Sequence, residues 1–479
     1  MFATARRRPT CLQDIVSGAR RMNTFYTRVF AGGLFPLHER LKGHSTLAVR
    51  KRMEETQWWS AEGITQLQLQ RLRGLLSHAG ENVPYYQRVF AERGFDPASV
   101  MSLRDLEVLP LLDKPAIRAQ EDALKSRAAN GLARMTTGGS SGEPLQFWLG
   151  KERVSHDVAA KWRATRWWGV DIGDPEIVLW GSPIELGRQD WVKQLRDRLQ
   201  RSVLLPAFEM SDDKVRHFVR LIRARRPRML FGYPSALSYV AGFAEGEGIR
   251  LDDFGCRVAF ATGEALYDHQ RERIGRVFGC PVANGYGGRD AGFIAHQCPE
   301  GGLHITAEDV VVEVLDPVGN PLPIGESGEL VITHLATRDF PFIRYRTGDM
   351  GALDEHPCSC GRGLPLIRNL EGRTTDFIVA ADGTVMHGLA LIYVIRALAG
   401  VRSFRIIQEN RAYVRVLLSV DACFDQADTE SIRTGFRARL GQNVDVQIEQ
   451  VDNIPVERSG KYRYVVSRVA PEQWGTTAA

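Results

Sequence analysis

Thr137-Gly138-Gly139-Ser140-Ser141-Gly142-Glu143-Pro144 sets three glycines among three hydroxyl side chains, and its surroundings decide the fold. Glycine lets a backbone approach an anion closely, and hydroxyls beside exposed N–H groups can donate to phosphate oxygens. The Gly-Lys-Ser/Thr ending of a Walker loop is absent. Taken alone, such a run is more often a flexible turn, so its neighbours carry the reading.

Working outward, residues from about 150 to 350 alternate short apolar runs with amphipathic segments. Glu176-Ile177-Val178-Leu179-Trp180, Arg228-Met229-Leu230-Phe231 and Arg257-Val258-Ala259-Phe260-Ala261 have the length and composition of buried strands. That alternation predicts α/β layering. Upstream, Ser60 opens a helix whose Leu72, Leu75, Leu76 and Ala79 share one face. After residue 371 the texture changes. Ser403–Gln408 and Tyr413–Val420 read as a hairpin around Glu409-Asn410-Arg411. A helix with Ile432, Phe436 and Leu440 on one face follows, then an alternating strand through Val444, Val446 and Ile448. The expected organisation is a basic lead-in over 1–55, a large α/β body over 56–371, and a small mobile α+β lid over 372–479.

Composition is that of a protein with substantial cores: 44% hydrophobic and 25% charged residues. No run approaches the about 20 apolar residues that span a bilayer, and no apolar stretch backs Arg6-Arg7-Arg8, so a cytoplasmic location is expected. Seven cysteines suit a reducing compartment better than a disulfide scaffold. Basic clusters at Arg6–Arg8, Arg20-Arg21 and Arg223–Arg226 read first as solvated surface, and no nucleic-acid motif accompanies them. A basic N-terminal arm recruited peripherally to a membrane remains compatible with them.

Four further segments follow the glycine loop in order: Ala261-Thr262-Gly263-Glu264, Asn284-Gly285-Tyr286-Gly287-Gly288-Arg289-Asp290, Arg344-Tyr345-Arg346-Thr347-Gly348-Asp349 and Ile454-Pro455-Val456-Glu457-Arg458-Ser459-Gly460-Lys461. Together the five resemble the signature of the adenylate-forming (AMP-binding) superfamily. Gln57-Trp58-Trp59-Ser60, Val83-Pro84-Tyr85-Tyr86, Phe231-Gly232-Tyr233-Pro234-Ser235 and Tyr286–Gly292 narrow the resemblance to its phenylacetate–CoA ligase-like branch, especially members associated with capsular polysaccharide biosynthesis.

The resemblance implies that Thr137, Gly138, Gly139, Ser140, Ser141 and Gly142 hold the β- and γ-phosphates of ATP. It places Thr262, Gly263, Glu264 and Tyr286 at the adenine, Asp349 at the ribose hydroxyls, and Gly287 and Arg373 in the ATP site. Asp290 stands where the branch usually has a glutamate that helps hold Mg²⁺, and Lys461 would bridge the substrate carboxylate and the α-phosphate. Three departures stand out: Glu143 where a lysine is usual, the shorter Asp290, and Thr375 in the expected hinge Gly372–Asp376. They bear on rate and lid motion.

Cys298 and His304, with Cys358-Ser359-Cys360 some fifty residues later, offer three sulfurs and an imidazole, the donor set of a closed structural Zn²⁺ site. Buried free cysteines beside a surface histidine are the alternative. The expected activity is acid plus ATP to acyl-adenylate, then CoA to the thioester. Delivery to an amine or hydroxyl, and a non-catalytic scaffold role, stay open. So do a homodimeric state and the identity of the acid, for which Trp180, Tyr233 and Phe260 suggest an apolar or aromatic group.

Overall fold

The computed structural model describes residues 25–137, 145–180, 191–207, 209–316, 318–371, 377–452, 454 and 464–469. Ser60 does cap a helix, Ala61–Asn82, its side chain accepting from the Gly63 N–H at 3.1 Å. Leu72, Leu75, Leu76 and Ala79 are fully buried along one face. The helix stops because Pro84 forces Val83 into an extended backbone (φ −112°, ψ 108°), and Pro84 then opens the next helix, Pro84–Arg93.

The apolar runs become a mixed sheet, eleven strands among the described residues. Five neighbours are parallel, in the spatial order Ser202–Pro206, Glu176–Trp180, Met229–Gly232, Val258–Thr262 and Val282–Gly288. From Gly292–Gln297 onward the pairing is antiparallel. The chain direction across the sheet reverses at Glu176–Trp180, which has the next strand in sequence on one side and the one after it on the other. In open α/β sheets ligands collect at the carboxyl ends of such strands.

Residues 377–469 build the predicted small α+β unit: a four-stranded sheet with the helices Leu389–Arg396 and Gln426–Leu440. The hairpin turn is tighter than the sequence suggests. Glu409 and Asn410 belong to the strand Val401–Asn410, with Asn410 opposite Tyr413, so only Arg411-Ala412 turn. Glu409 is held in the strand by ion pairs to Arg415 at 3.3 Å and Arg468 at 2.6 Å. The unit docks on the body through Val385-Met386, which pairs with Glu209-Met210. Alternation along Phe377–Val379 sends Ile378 into the lid core and Val379 into the body core. Buried Gln408 pins that strand, giving to the Val379 carbonyl at 2.6 Å and accepting from its N–H at 3.0 Å.

The segment with the weakest patterning differs most from expectation. Residues 25–41 are helical throughout, and Thr46–Thr56 forms a further helix against Lys151–Trp167. Glycines 32 and 33 and Pro36 hide this from a period-3.6 reading.

Between the helix Lys151–Trp167 and the sheet lies a layer of buried charge. Arg163 meets Glu308 at 2.5 Å, with both side chains at most 2% exposed. His156 and Arg71 both bond Asp309, at 2.6 and 3.0 Å. Arg153 reaches Asp157, Thr337 and the Asp290 carbonyl. Gly292 (φ +81°) is required here, because an added Cβ would lie 2.6 Å from Arg153 Nη2.

Two histidines border this layer. Burial, with Arg163 and Lys161 nearby, pulls His296 down to about 3. Burial and Arg153 hold His334 well below 6.5. Both stay neutral in the folded chain while the unfolded chain takes up protons below pH 6.5, so stability falls as pH falls through that range. Asp157, pushed up by burial, acts in the opposite sense. The two histidines together contribute a loss of about 4 kcal/mol between pH 7 and pH 5. Urea unfolding midpoints measure it. His296→Phe, which keeps a ring in the stack with Phe293, should flatten the pH slope, and an unchanged slope would refute the assignment.

Candidate functional site

Strands Ala133–Thr136 and Gln146–Leu149 pair antiparallel and carry the glycine loop between them. Its base is closed by Thr137, whose N–H gives to the Leu145 carbonyl at 3.0 Å while its Oγ1 accepts from the Leu145 N–H at 2.9 Å. Gly138, Gly139, Ser140, Ser141, Gly142 and Glu143 lie outside the described residues, as do Arg373, Thr375 and Lys461. Arg289 reaches across to the Thr136 carbonyl at 3.2 Å, tying the loop's base to the Tyr286–Asp290 segment.

Three of the sequence motifs meet near the carboxyl ends of the parallel strands. Tyr286, 8% exposed, donates to Asp349 at 3.1 Å and lies 3.4 Å from Thr347 Oγ1, which also accepts from the Asp349 N–H. Gly287 is needed where an added Cβ would meet the Gly292 carbonyl at 2.3 Å. Glu264 accepts from Ser235 Oγ, joining the Thr262-Gly263-Glu264 turn to the Tyr233-Pro234-Ser235 helix start. Asp290 accepts from Tyr345 OH at 2.5 Å and from the Ala291 N–H at 3.1 Å. A carboxylate has about four acceptor sites, so this one keeps capacity for a cation.

At the sheet's reversal point, Trp180 and Tyr233 stack with centroids 4.3 Å apart and planes at 17°. Gly263 (φ +85°) seats against both rings, each 3.0 Å from where its Cβ would be. Phe260, grouped with them on sequence, is only 1% exposed and packs edge-on to Trp168 in a separate core. Alternation along Val258–Thr262 puts it there. Sequence reasoning missed Arg153 and the role of Tyr345 as the partner of Asp290. Tyr345 lies inside a quoted motif, but nothing local says which carboxylate it meets.

Cys298, His304, Cys358 and Cys360 come together, with one potential ligand atom from each within 4.8 Å of the others. Cys298 and Cys358 sulfurs are 3.6 Å apart, too far for a disulfide and close to the about 3.8 Å edge of a tetrahedron with zinc–sulfur bonds. Cys360 Sγ lies 3.2 Å from His304 Nε2. The other ring nitrogen, Nδ1, faces the Leu364 carbonyl at 3.3 Å, which suits Nε2 as the ligating atom. Burial pulls His304 down to about 4, leaving it neutral, and burial with the bond to Cys358 pushes the Cys298 thiol up to about 12. Three sulfurs and a neutral imidazole at these distances fit a closed Zn²⁺ site, whose binding would displace the Cys298 proton. Gly302 gives the sulfurs room, since a Cβ there would lie 2.7 Å from Cys358 Sγ. The Gln57-Trp58-Trp59-Ser60 motif backs the same corner: Gln57 Oε1 accepts from Trp167 at 2.8 Å and Arg362 at 3.3 Å.

Known proteins resemble the chain in sequence and in fold. Residues 200–336 match the AMP-binding enzyme family and residues 378–468 the CapK C-terminal domain. The chain is 23% identical to Protein CapK of Staphylococcus aureus over 85% of its own length and 90% of that protein's. It is 29% identical to a phenylacetate-coenzyme A ligase of Pseudomonas putida over 69% of its length and 75% of that enzyme's. Among solved structures, 2-hydroxyisobutyryl-CoA ligase in complex with 2-HIB-AMP and CoA superposes with a TM-score of 0.61 at 22% identity, covering 86% of this chain and 91% of that one; this likeness concerns the fold. Family matches and shared motifs lead to one assignment: the chain is an adenylate-forming ligase, with an AMP-binding enzyme segment over 200–336 and a CapK C-terminal domain over 378–468, and it is similar to Protein CapK and to phenylacetate–CoA ligases.

Proposed function

We propose that the chain activates a carboxylic acid with ATP as an acyl-adenylate and then transfers the acyl group to CoA. The observation that carries this is the convergence of Tyr286, Asp349, Glu264 and Asp290 near the carboxyl ends of the parallel strands, beside the base of the glycine loop. A carboxylate oxygen attacks the α-phosphorus, the bond to the β-phosphate bridging oxygen breaks, and pyrophosphate leaves. The CoA thiolate then attacks the acyl carbon and AMP departs. Thr137–Gly142 hold the β- and γ-phosphates, Thr262, Gly263, Glu264 and Tyr286 line the adenine, Asp349 accepts from the ribose hydroxyls, and Gly287 and Arg373 belong to the same site. Asp290 would help hold Mg²⁺, which supplies positive charge to the phosphates. The stacked Trp180–Tyr233 pair offers a flat apolar wall suited to an aromatic or apolar acid.

The lid, beginning at residue 372, turns between the two half-reactions about Gly372–Asp376. We place structural Zn²⁺ at Cys298, His304, Cys358 and Cys360, where it fixes the corner between the strand Gly292–Gln297 and the loop before Leu366 and takes no part in the acyl chemistry.

Pyrophosphate release across aryl, fatty and hydroxy acids, with and without CoA, tests the reading. Acid-dependent release followed by CoA-dependent AMP and thioester supports it; release indifferent to CoA moves the acceptor to an amine or hydroxyl. That second reading draws on the match of residues 378–468 to the CapK C-terminal domain, because the lid presents the acceptor in the second half-reaction. Tyr286→Phe should raise KM for ATP about fivefold with little change in kcat, since one hydrogen bond to Asp349 is worth about 1 kcal/mol. An unchanged KM would remove Tyr286 from the nucleotide site.

A further inference from the structure

We propose that the helix spanning residues 25–41, with the neighbouring Trp191–Leu199 helix, is a docking face for an anionic lipid surface.

Seven of the thirteen large apolar side chains exposed among the described residues lie on these two helices. Phe25 (69%), Val29, Leu34, Leu37 and Leu41 (80%) are spaced four, five, three and four residues apart. The five-residue step falls in the π-helical turn Phe30–Leu34, where the Phe35 N–H bonds the Phe30 carbonyl. Pro36 follows that turn and has no N–H to give, and a widened turn accommodates its ring. Because a π turn holds one extra residue, Val29 and Leu34 fall on the same side. The five side chains therefore form one stripe.

The opposite side of the helix is anchored. Phe30 and Phe35 are buried, and Phe35 packs edge-on to Trp162 with centroids 5.2 Å apart. Thr27 donates to Asp174 at 2.8 Å, and Tyr26 OH to the Leu199 carbonyl at 2.6 Å. That last bond brings the second helix alongside, adding exposed Leu195 and Leu199. Solvent-facing apolar groups on an element this firmly seated are not a fraying end.

Charge selects the occupant. Residues 1–45 carry seven arginines and Lys42 against Asp14 and Glu39, a surplus of six, whereas the whole chain has a surplus of five. Everything after residue 45 is close to neutral. Arg28, Arg40 and Lys42 are exposed beside the stripe. Glu39, the acidic residue of this segment, is 4% exposed and engaged by His38, His44 and Thr46. On the second helix Asp197 is paired to Arg196 at 2.6 Å, and Arg198 is exposed. A second copy of this chain would set basic surface against basic surface. Residues 1–24, with five arginines and one acid, are equally like-charged as a cover. An apolar stripe flanked by basic residues is what an in-plane helix presents to anionic headgroups.

Co-sedimentation of the full chain with phosphatidylcholine vesicles containing about 30 mol % phosphatidylglycerol, against phosphatidylcholine alone, tests the proposal. Binding should be at least about tenfold tighter to the anionic vesicles and weaken with salt. The double substitution Leu37→Glu/Leu41→Glu should lower it at least about tenfold with an unchanged melting curve. Arg28→Glu/Arg40→Glu, which leaves the stripe intact, should reduce the preference for anionic over neutral vesicles. Failure of the wild-type chain to sediment would overturn the proposal, as would undiminished binding of the leucine variant. A wild-type dimer that the leucine variant splits would assign the stripe to self-association. A leucine variant that melts earlier, from a wild type that ignores vesicles, would assign it to the chain's own N-terminal segment.

Discussion

Lys461→Ala should lower acid-dependent pyrophosphate release by about a hundredfold to a thousandfold while leaving ATP binding nearly intact. Adenylation brings a carboxylate against a phosphate, and unscreened repulsion between two anions a few ångströms apart amounts to several kcal/mol in a partly desolvated site. A cation reaching both oxygens stabilises the attacking arrangement more than either ground state, so its loss appears in kcat. On the proposed reading, ATP would keep its contacts on the body at Tyr286 and Asp349. Lys461 lies in Ser459-Gly460-Lys461 on the lid side of the chain, beyond the docked strand Val385–His387. The same variant supplied with preformed acyl-adenylate and CoA should therefore make thioester at close to the normal rate, because on the proposed mechanism the second half-reaction would use a different lid face. A normal adenylation rate would sink the role, and equal losses in both half-reactions would point to a lid that no longer docks.

The body strands were legible because three- and four-residue runs such as Ile177–Leu179 and Val258–Ala261 are apolar on both faces, as buried parallel strands require. The lid helix was legible from Ile432, Phe436 and Leu440, all buried on one side. Residues 25–41 were not, since a π turn shifts the apolar spacing from four to five and any fixed period loses it there. At the site, residue type and motif order pointed to Tyr286, Asp349 and Asp290. The partnerships did not show. Tyr345 and Asp290 are 55 residues apart, and Arg153 sits 137 residues before the carbonyl it holds. Such contacts depend on which strands become neighbours, and a linear pattern carries no trace of that. Phe260 shows the converse error: an aromatic residue next to a motif, sent by strand alternation into the core behind it.

The metal cluster allows a sharper test, because its four side chains come from two segments of which one, before Leu366, is irregular. Cys298 and His304 flank the short turn between the strands Gly292–Gln297 and Leu303–Ile305, while Cys358 and Cys360 belong to the irregular stretch before Leu366–Glu371. That stretch has few regular hydrogen bonds of its own, and Gly363 is packed so tightly that a Cβ would lie 1.8 Å from the Trp59 carbonyl. Without a central cation, the corner would rest on the pairing of Leu303–Ile305 with Leu366–Glu371, on Gln57 and on weak sulfur contacts. Cys298→Ser should lower stability by at least about 4 kcal/mol, the range in which losing a structural metal falls. Stoichiometric zinc should leave with the side chain, and chelator should reproduce the lowered melting temperature in the wild type. Cys423→Ser, at an exposed cysteine outside the cluster, should do neither. Protein purified without added metal that holds no zinc, and melts identically with and without chelator, would make the four residues a packed thiol cluster instead. Burial and the contact with Cys358 would then keep the Cys298 thiol protonated in that corner.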